Sequence, residues 1–490
     1  MRSFPTTAEA RPDDLPDDDL RPVEPKVRWA RTRRLAAFAE RHPVLTVFTA
    51  SLLVRLAVGA ASMVATDHTV IPDEIQYLTL GDLAANHKLY STLWLGYGRS
   101  LYHATATFMW PLTAIYWVLW PWRGFAIAMV ALAGAATAAC TAKLAMELLP
   151  RRWAIAAGMV VALVPSQVLW SSVVLRESFV WMLLAVVGLA TTKVILGSRH
   201  VVPLLGAALA ACVGLGYLRQ QTMIVAAWAV AGAIVVAVGR DRRIRLGAAG
   251  IGIALLAPFL SGYGPGGWDL LVKAIPSLGS TRAYLSMNAE SAFVPTTIAG
   301  VVTTTTTVPA GVAGTGGGKG SGGSQGTGDH GSGAASIASR PPVSEDGTTR
   351  ELVNTKTGDV YVVDTAFATN FSALPRGLVA VLFRPFPWDH TRTMPLAFAR
   401  FEELVWYGLY ALAAVGLWAE RRRWRAMACP LLLLVGIVLV GAVTQGNLGT
   451  AFRHRGQILW AIAVPAACGL HHLVVRHRAR RATGPVLSPG

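Results

Sequence analysis

The chain has 490 residues, of which 53% are hydrophobic and only 14% charged, and it carries a formal net charge of +17. So few charges spread over so many apolar runs exclude a soluble globular domain and describe a polytopic, all-α membrane protein. The basic excess does not point to nucleic acid either, because it sits in short clusters between apolar segments, as Lys and Arg do in cytoplasmic loops.

In chain order, residues 1–43 come first, acidic and proline-rich to about residue 25 and then basic from Lys26 to Arg41. They are expected to form a disordered cytoplasmic tail leading into an uncleaved anchor. A helix needs about 20 apolar residues to cross the hydrocarbon. Candidate spans, about ten by that criterion, lie at roughly 44–66, 124–148, 152–170, 178–196, 203–218, 222–239, 246–261, 402–418, 427–444 and 456–474. The run from Leu101 to Trp120 is ambiguous. If it does not cross, the basic clusters at Lys26–Arg41, Arg151-Arg152, Arg199, Arg240–Arg245, Arg421–Arg425 and Arg476–Arg481 all fall on the cytoplasmic side. It is therefore expected to be an interfacial or re-entrant helix, with Trp110, Tyr116, Trp117, Trp120 and Trp122 at headgroup level.

This count implies an N-terminal transmembrane module over 44–261 with a first external loop at 67–123, a second external loop at 262–401, C-terminal transmembrane helices over 402–474, and a basic cytoplasmic tail at 475–490. Within the second loop, the Thr-, Gly- and Ser-rich stretch 296–348 has too few large apolar residues to order itself and is expected to be disordered. Glu351 to Thr365 reads as a hairpin turning at Lys356-Thr357-Gly358-Asp359. Residues 375–388 are too short and proline-bounded to span, and are expected at the outer interface. The cysteines Cys140, Cys212, Cys429 and Cys468 lie far apart in apolar runs and read as small membrane-core residues.

The chemistry is expected to concentrate around Pro72-Asp73-Glu74-Ile75-Gln76-Tyr77, just past the first span. On a helix starting near Asp73, Tyr77 shares its face at i+4. An acid at an external mouth, partly shielded from water, can act as a general base; the alternative is that Asp73 caps an amphipathic helix and Glu74 is solvated in its first turn. Arg55 lies mid-span, where a charge is tolerated only if it faces the bundle and is paired, which suits a structural role. Arg176-Glu177, Arg219 and the Arg453-His454-Arg455 triplet stand at span ends on the external side, against the positive-inside bias. Convergent arginines at an outer cavity suit a phosphate ligand; contact with lipid headgroups is the alternative. No HExxH, no His/Asp cluster at ligand spacing, no P-loop and no nucleophile elbow is legible, so no dedicated metal site is expected.

An arginine in the first span followed by DExxY (Asp73, Glu74, Tyr77) resembles the membrane glycosyltransferases of the GT-C superfamily, closest to the protein mannosyltransferase and aminoarabinose-transferase branch. The span running from Pro165-Ser166 to Arg176-Glu177 resembles that family's second external acidic motif, with Arg-Glu where an Asp is often found. Gly449 to Arg455 resembles its late arginine-bearing segment. The likeness covers 50–260 in layout and 370–474 loosely, and the long soluble C-terminal domain of some members is not expected here.

The resemblance implies a GT-C-like bundle in the cytoplasmic membrane with its active site on the periplasmic or extracellular side. It implies transfer of a sugar from a polyprenyl-phosphate donor to a glycan, lipid or protein acceptor, with inversion. Asp73, or Glu74 in its place, would be the base; Arg219, Arg453 and Arg455 would hold the phosphate; Tyr77 would shape the pocket, and Glu177 would orient Arg176 or the sugar. Assistance by a divalent cation is compatible with it. A lipid-linked glycan flippase and a polysaccharide polymerase or ligase are the competing readings. No internal repeat favours the flippase, and the early acidic loop favours the transferase over the ligase.

Overall fold

Where water is excluded, a backbone satisfies its hydrogen bonds within helices, and the apolar runs fold accordingly. The structure is a computed structural model and describes residues 37–65, 72–272, 301–302, 349–353, 360–364, 374–389, 394–444 and 448–482. The chain runs through α1 (Pro43–Ala65), α2 (Pro72–Ala85), a π-helical turn (Trp94–Gly98), α3 (Arg99–Ala104), α4 (Ala106–Val118), α5 (Arg123–Ala145), α6 (Arg151–Leu163), α7 (Pro165–Trp170) and α8 (Glu177–Ile195). It continues through α9 (Val201–Gly216), α10 (Gln220–Ala237) and α11 (Arg240–Leu260). After the second loop come α12 (Leu374–Phe383), α13 (Met394–Ala419), α14 (Ala428–Thr444) and α15 (Leu448–Ala482).

Among the described residues, seven helices are long and apolar enough to cross a membrane. Of the other expected spans, 152–170 is broken into α6 and α7, α9 has only 16 residues, and α13 carries Glu402 and Glu403 in its first half. Helices stand at every expected position, but the expected count of about ten spans is not confirmed, since seven of them qualify on length and apolarity among the described residues. In the ambiguous run, α4 has 13 residues and rises about 20 Å, short of a hydrocarbon core of about 30 Å.

The all-helical bundle carries one small sheet. Strands β1 (Val301–Val302), β2 (Thr349–Val353) and β3 (Val360–Asp364) pair antiparallel in the order β1-β3-β2, with Val353 opposite Val360. The expected hairpin is therefore present, while its turn lies outside the described residues, as do the tail over 1–36 and all of the low-complexity stretch 296–348 except β1. α12, too short to span, packs on α14 and α15; a Cβ at Gly377 would collide with the Ala442 carbonyl, so the approach requires glycine.

Packing follows residue size. α1 buries one stripe at i, i+4 spacing, Val47, Ser51, Arg55 and Gly59, and leaves Leu45 and Leu53 exposed. It packs on α5, whose Ala- and Gly-rich sequence also lets α6 and α8 approach closely. α13 crosses α15 at Gly416 and Gly469, where any side chain would strike the opposite backbone.

The break between α6 and α7 explains the mid-membrane arginine. Pro165 has no N–H to give the Val161 carbonyl, and the Ser166 N–H turns to Glu402 Oε2 at 2.7 Å, leaving the Ala162 carbonyl without it. Arg55 supplies both missing donors: Nη2 donates to Val161 O at 3.1 Å and Nη1 to Ala162 O at 3.0 Å. Its Nε donates to Ser171 Oγ at 2.6 Å, and Nη1 also bonds Ser51 Oγ. The expected bundle-facing, structural arginine is found, but hydroxyls and carbonyls satisfy it rather than an acid. Gly134 makes room, since a Cβ there would meet Arg55 and Ser171.

Antiparallel helices sort the charged residues to two ends. Asp73, Glu74, Arg123, Arg176, Glu177, Arg219, Arg453 and His454 are linked at one end. At the other, Lys193 Nζ meets Glu147 Oε1 at 2.7 Å, and Arg423 donates to the carbonyls of Glu147 and Leu148.

Candidate active site

Pro72 opens α2 at the position where a missing N–H costs nothing, and Asp73 and Glu74 lie in the first turn, where the helix dipole favours anions. Neighbouring positions point about 100° apart, and the two acids meet different surroundings. Glu74 is fully buried and accepts a bidentate pair from Arg123, Nε at 2.9 Å and Nη2 at 3.2 Å, with the Val174 N–H at 3.4 Å. Asp73 is 50% exposed and meets Arg453 Nη1 at 3.1 Å. Tyr77 is buried and packs its edge on Phe108, which packs in turn on Phe179, so the face it shares with Asp73 is held by an aromatic row. Burial pushes the Tyr77 phenol above its usual range, with Arg176 pulling against this and Glu177 and Asp73 adding to it.

Glu177 opens α8 and is 1% exposed. Arg219 Nη2 reaches its Oε1 at 2.8 Å, and Arg453 Nη2 lies 2.7 Å from Oε2 as an ion pair outside hydrogen-bonding angles. Arg453 thereby bridges Asp73 and Glu177, with its guanidinium 5.8 Å from the Trp170 ring centre. Arg176 Nη1 donates to the Leu218 carbonyl at 3.0 Å, fixing it beside the turn that presents Arg219. Arg219 also contacts His454 Nε2; a guanidinium only donates, so that nitrogen is the acceptor and the imidazole proton sits on Nδ1. Burial lowers Arg219 to about 10, opposed by Glu177, and it stays cationic at neutral pH.

Three guanidiniums, of Arg176, Arg219 and Arg453, face two carboxylates, of Asp73 and Glu177, leaving one positive charge in excess. Among the described residues, the buried Nε–H of each of the three arginines has no acceptor. Unmet buried donors of this kind cost about 1–3 kcal/mol each. An anion entering the cluster offers them acceptors and neutralises the excess charge. Among the described residues no three metal-ligating side chains converge, and both carboxylates of the cluster face Arg453, so the donor set does not fit a divalent cation.

Of the residues expected at the site, Asp73, Tyr77, Arg176, Glu177, Arg219 and Arg453 are brought together. Glu74 is committed to Arg123. Arg455 turns the other way: it pairs with buried Glu403, donates from Nε to the Val381 carbonyl at 2.7 Å and also bonds the Arg384 carbonyl. Glu402 beside it accepts from Ser166 Oγ at 2.5 Å and Trp406 Nε1 at 2.9 Å. Arg123, Glu402 and Glu403 are not among the residues expected from sequence, and His454 enters there only as the middle of the Arg453-His454-Arg455 triplet. Two adjacent acids inside an apolar run were the available signal for Glu402 and Glu403, and an external cation opening a span was the signal for Arg123. A small cavity of about 50 Å³ lies behind Arg219 and His454, walled by Thr222, Gln457 and Val438. Comparison with protein-family models, with curated proteins and with solved structures finds no match.

Proposed function

We propose that the chain is an integral membrane glycosyltransferase that moves a sugar from a polyprenyl-phosphate donor to an acceptor hydroxyl on the outer face of the cytoplasmic membrane. The observation that carries this reading is a half-exposed carboxylate, Asp73, beside three arginines with unmet buried donors. A carboxylate beside an anion-seeking arginine cluster suits attack by a hydroxyl on a carbon whose leaving group is a phosphate.

In the proposed reaction the donor phosphate takes acceptors to Arg453, Arg219 and Arg176. It competes with Asp73 for Arg453 and so frees the carboxylate. Asp73 takes the proton of the acceptor hydroxyl as its oxygen bonds to the anomeric carbon from the opposite side. The carbon–oxygen bond to phosphate breaks, and the electron pair leaves with polyprenyl phosphate. No general acid is needed, because the arginines stabilise the charge that develops on the leaving group. Glu177 holds Arg219 and Arg453 in register, and Glu74 holds α2 against α5. The carboxylate pair stands at one end of the bundle, which fits a reaction at a membrane face better than alternating access at the midplane.

The test is purified full-length protein in nanodiscs, offered a panel of polyprenyl-phosphate sugars with glycan and lipid acceptors. The expected result is free polyprenyl phosphate in step with glycosylated acceptor. Movement of intact donor across a sealed bilayer without its cleavage would instead identify a transporter.

A further inference from the structure

At the end of the bundle away from the arginine cluster, a groove of about 550 Å³ opens between the start of α1, the end of α5 and the start of α6. That volume lies within the range of ligand clefts, roughly 300–1,000 Å³. Its rim is basic, from Arg41, His42, Lys143 and Arg151, and its wall is apolar, from Leu45 and Phe48. Arg151 Nη1 is 3.4 Å from the Glu40 carbonyl, which holds its guanidinium at the rim. Lys143 is half-buried, and the acid one turn on, Glu147, is taken by Lys193 at 2.7 Å. Among the described residues no carboxylate pairs with Lys143 or Arg151. Besides Glu147, the acid closest to the groove is Glu40, next to Arg41 in sequence, and its backbone carbonyl is the one that Arg151 reaches.

We propose that this groove binds an anionic phospholipid, with its phosphate on Lys143 and Arg151 and the first part of an acyl chain along Leu45 and Phe48. A soluble anion would use the rim but not the wall, and a zwitterionic lipid would leave the cations uncompensated. Basic pockets between helix ends are the form that anionic headgroup recognition takes at a membrane surface. The site shares no residue with the arginine cluster, so it stands or falls independently of the transferase reading.

The experiment is native mass spectrometry of the full chain, titrated in detergent with phosphatidylglycerol and, separately, with phosphatidylcholine. Wild type is expected to retain one phosphatidylglycerol well above phosphatidylcholine, and the double variant Lys143→Gln/Arg151→Gln to bind it roughly 30-fold more weakly. Arg242→Gln/Arg243→Gln, at the same end but outside the groove, is expected to bind as wild type does. Equal retention of the two lipids, or unchanged binding in the groove variant, overturns the proposal. So does full displacement of the lipid by inorganic phosphate alone, which would mark a free-anion site. Phosphatidylglycerol uptake only after Asp13, Asp14, Asp17, Asp18 and Asp19 are changed to Asn also overturns it, and assigns the groove to the acidic N-terminal segment.

Discussion

Arg453 presents one guanidinium nitrogen to Asp73 at 3.1 Å and another to Glu177 at 2.7 Å, while its Nε–H has no acceptor among the described residues. In the proposed reaction the half-exposed carboxylate is the one that an incoming phosphate displaces; the buried one is held by a second arginine. Arg453→Lys keeps the charge but loses the fork that spans both acids. Transfer is expected to fall by about 10²–10³-fold, as when one transition-state donor is removed, with the thermal midpoint near that of wild type; steady-state rates beside melting curves check both. Glu74 is the opposite case. Glu74→Gln leaves the part-buried Arg123 guanidinium against a neutral amide, and breaking a fully buried pair, the upper limit here, costs about 3–5 kcal/mol. The expected result is a clear drop in the midpoint, with activity retained by the protein that remains folded. The sequence showed two adjacent acids and the 100° between them, enough to say that only one could face the substrate. It did not say which, because that depends on Arg123, a residue 49 positions away that tertiary packing alone brings to Glu74.

At the scale of elements, the break at Val164-Pro165 is what α1 is built to receive. Arg55 replaces the N–H that Pro165 lacks and the one that Ser166 gives to Glu402. Arg55→Leu leaves two buried carbonyls unmet, at about 1–3 kcal/mol each. In a Pro165→Ala background the Val161 carbonyl regains a helical donor, so the same substitution is expected to cost less. A double-mutant cycle of unfolding midpoints reads that coupling, and additive losses would contradict the exchange of donors. From sequence, Arg55 was legible as a bundle-facing structural arginine, because its depth leaves few alternatives. Its partners were not, since carbonyls at a helix break have no sequence signature beyond the proline. The same limit hid the pairing of Arg455 with Glu403: two positions past Arg453 in sequence, Arg455 faces the opposite way on α15.

For the molecule as a whole, hydropathy and charge parity placed nearly every helix, because the bilayer permits few solutions. The count of about ten full-length spans is not confirmed, since α6–α7 is broken at Pro165 and α9 has only 16 residues, neither of which hydropathy registers. The sorting of the acidic motif and the basic loops to opposite ends is a stronger outcome of the same parity argument. Cysteines placed at Tyr90 and Arg422, both exposed, report the orientation in sealed vesicles. Tyr90→Cys is expected to react with an impermeant maleimide from outside, and Arg422→Cys only after the membrane is opened; labelling of both from one side would contradict the arrangement.

The most direct measurement of the central claim is the rate of polyprenyl-phosphate release by wild type and Asp73→Asn, with matched folding and membrane insertion. A general base contributes about 10²–10⁴-fold, so the variant should lose at least two orders of magnitude in rate while still binding donor. Release at the wild-type rate from Asp73→Asn would contradict the account and remove Asp73 from the chemistry.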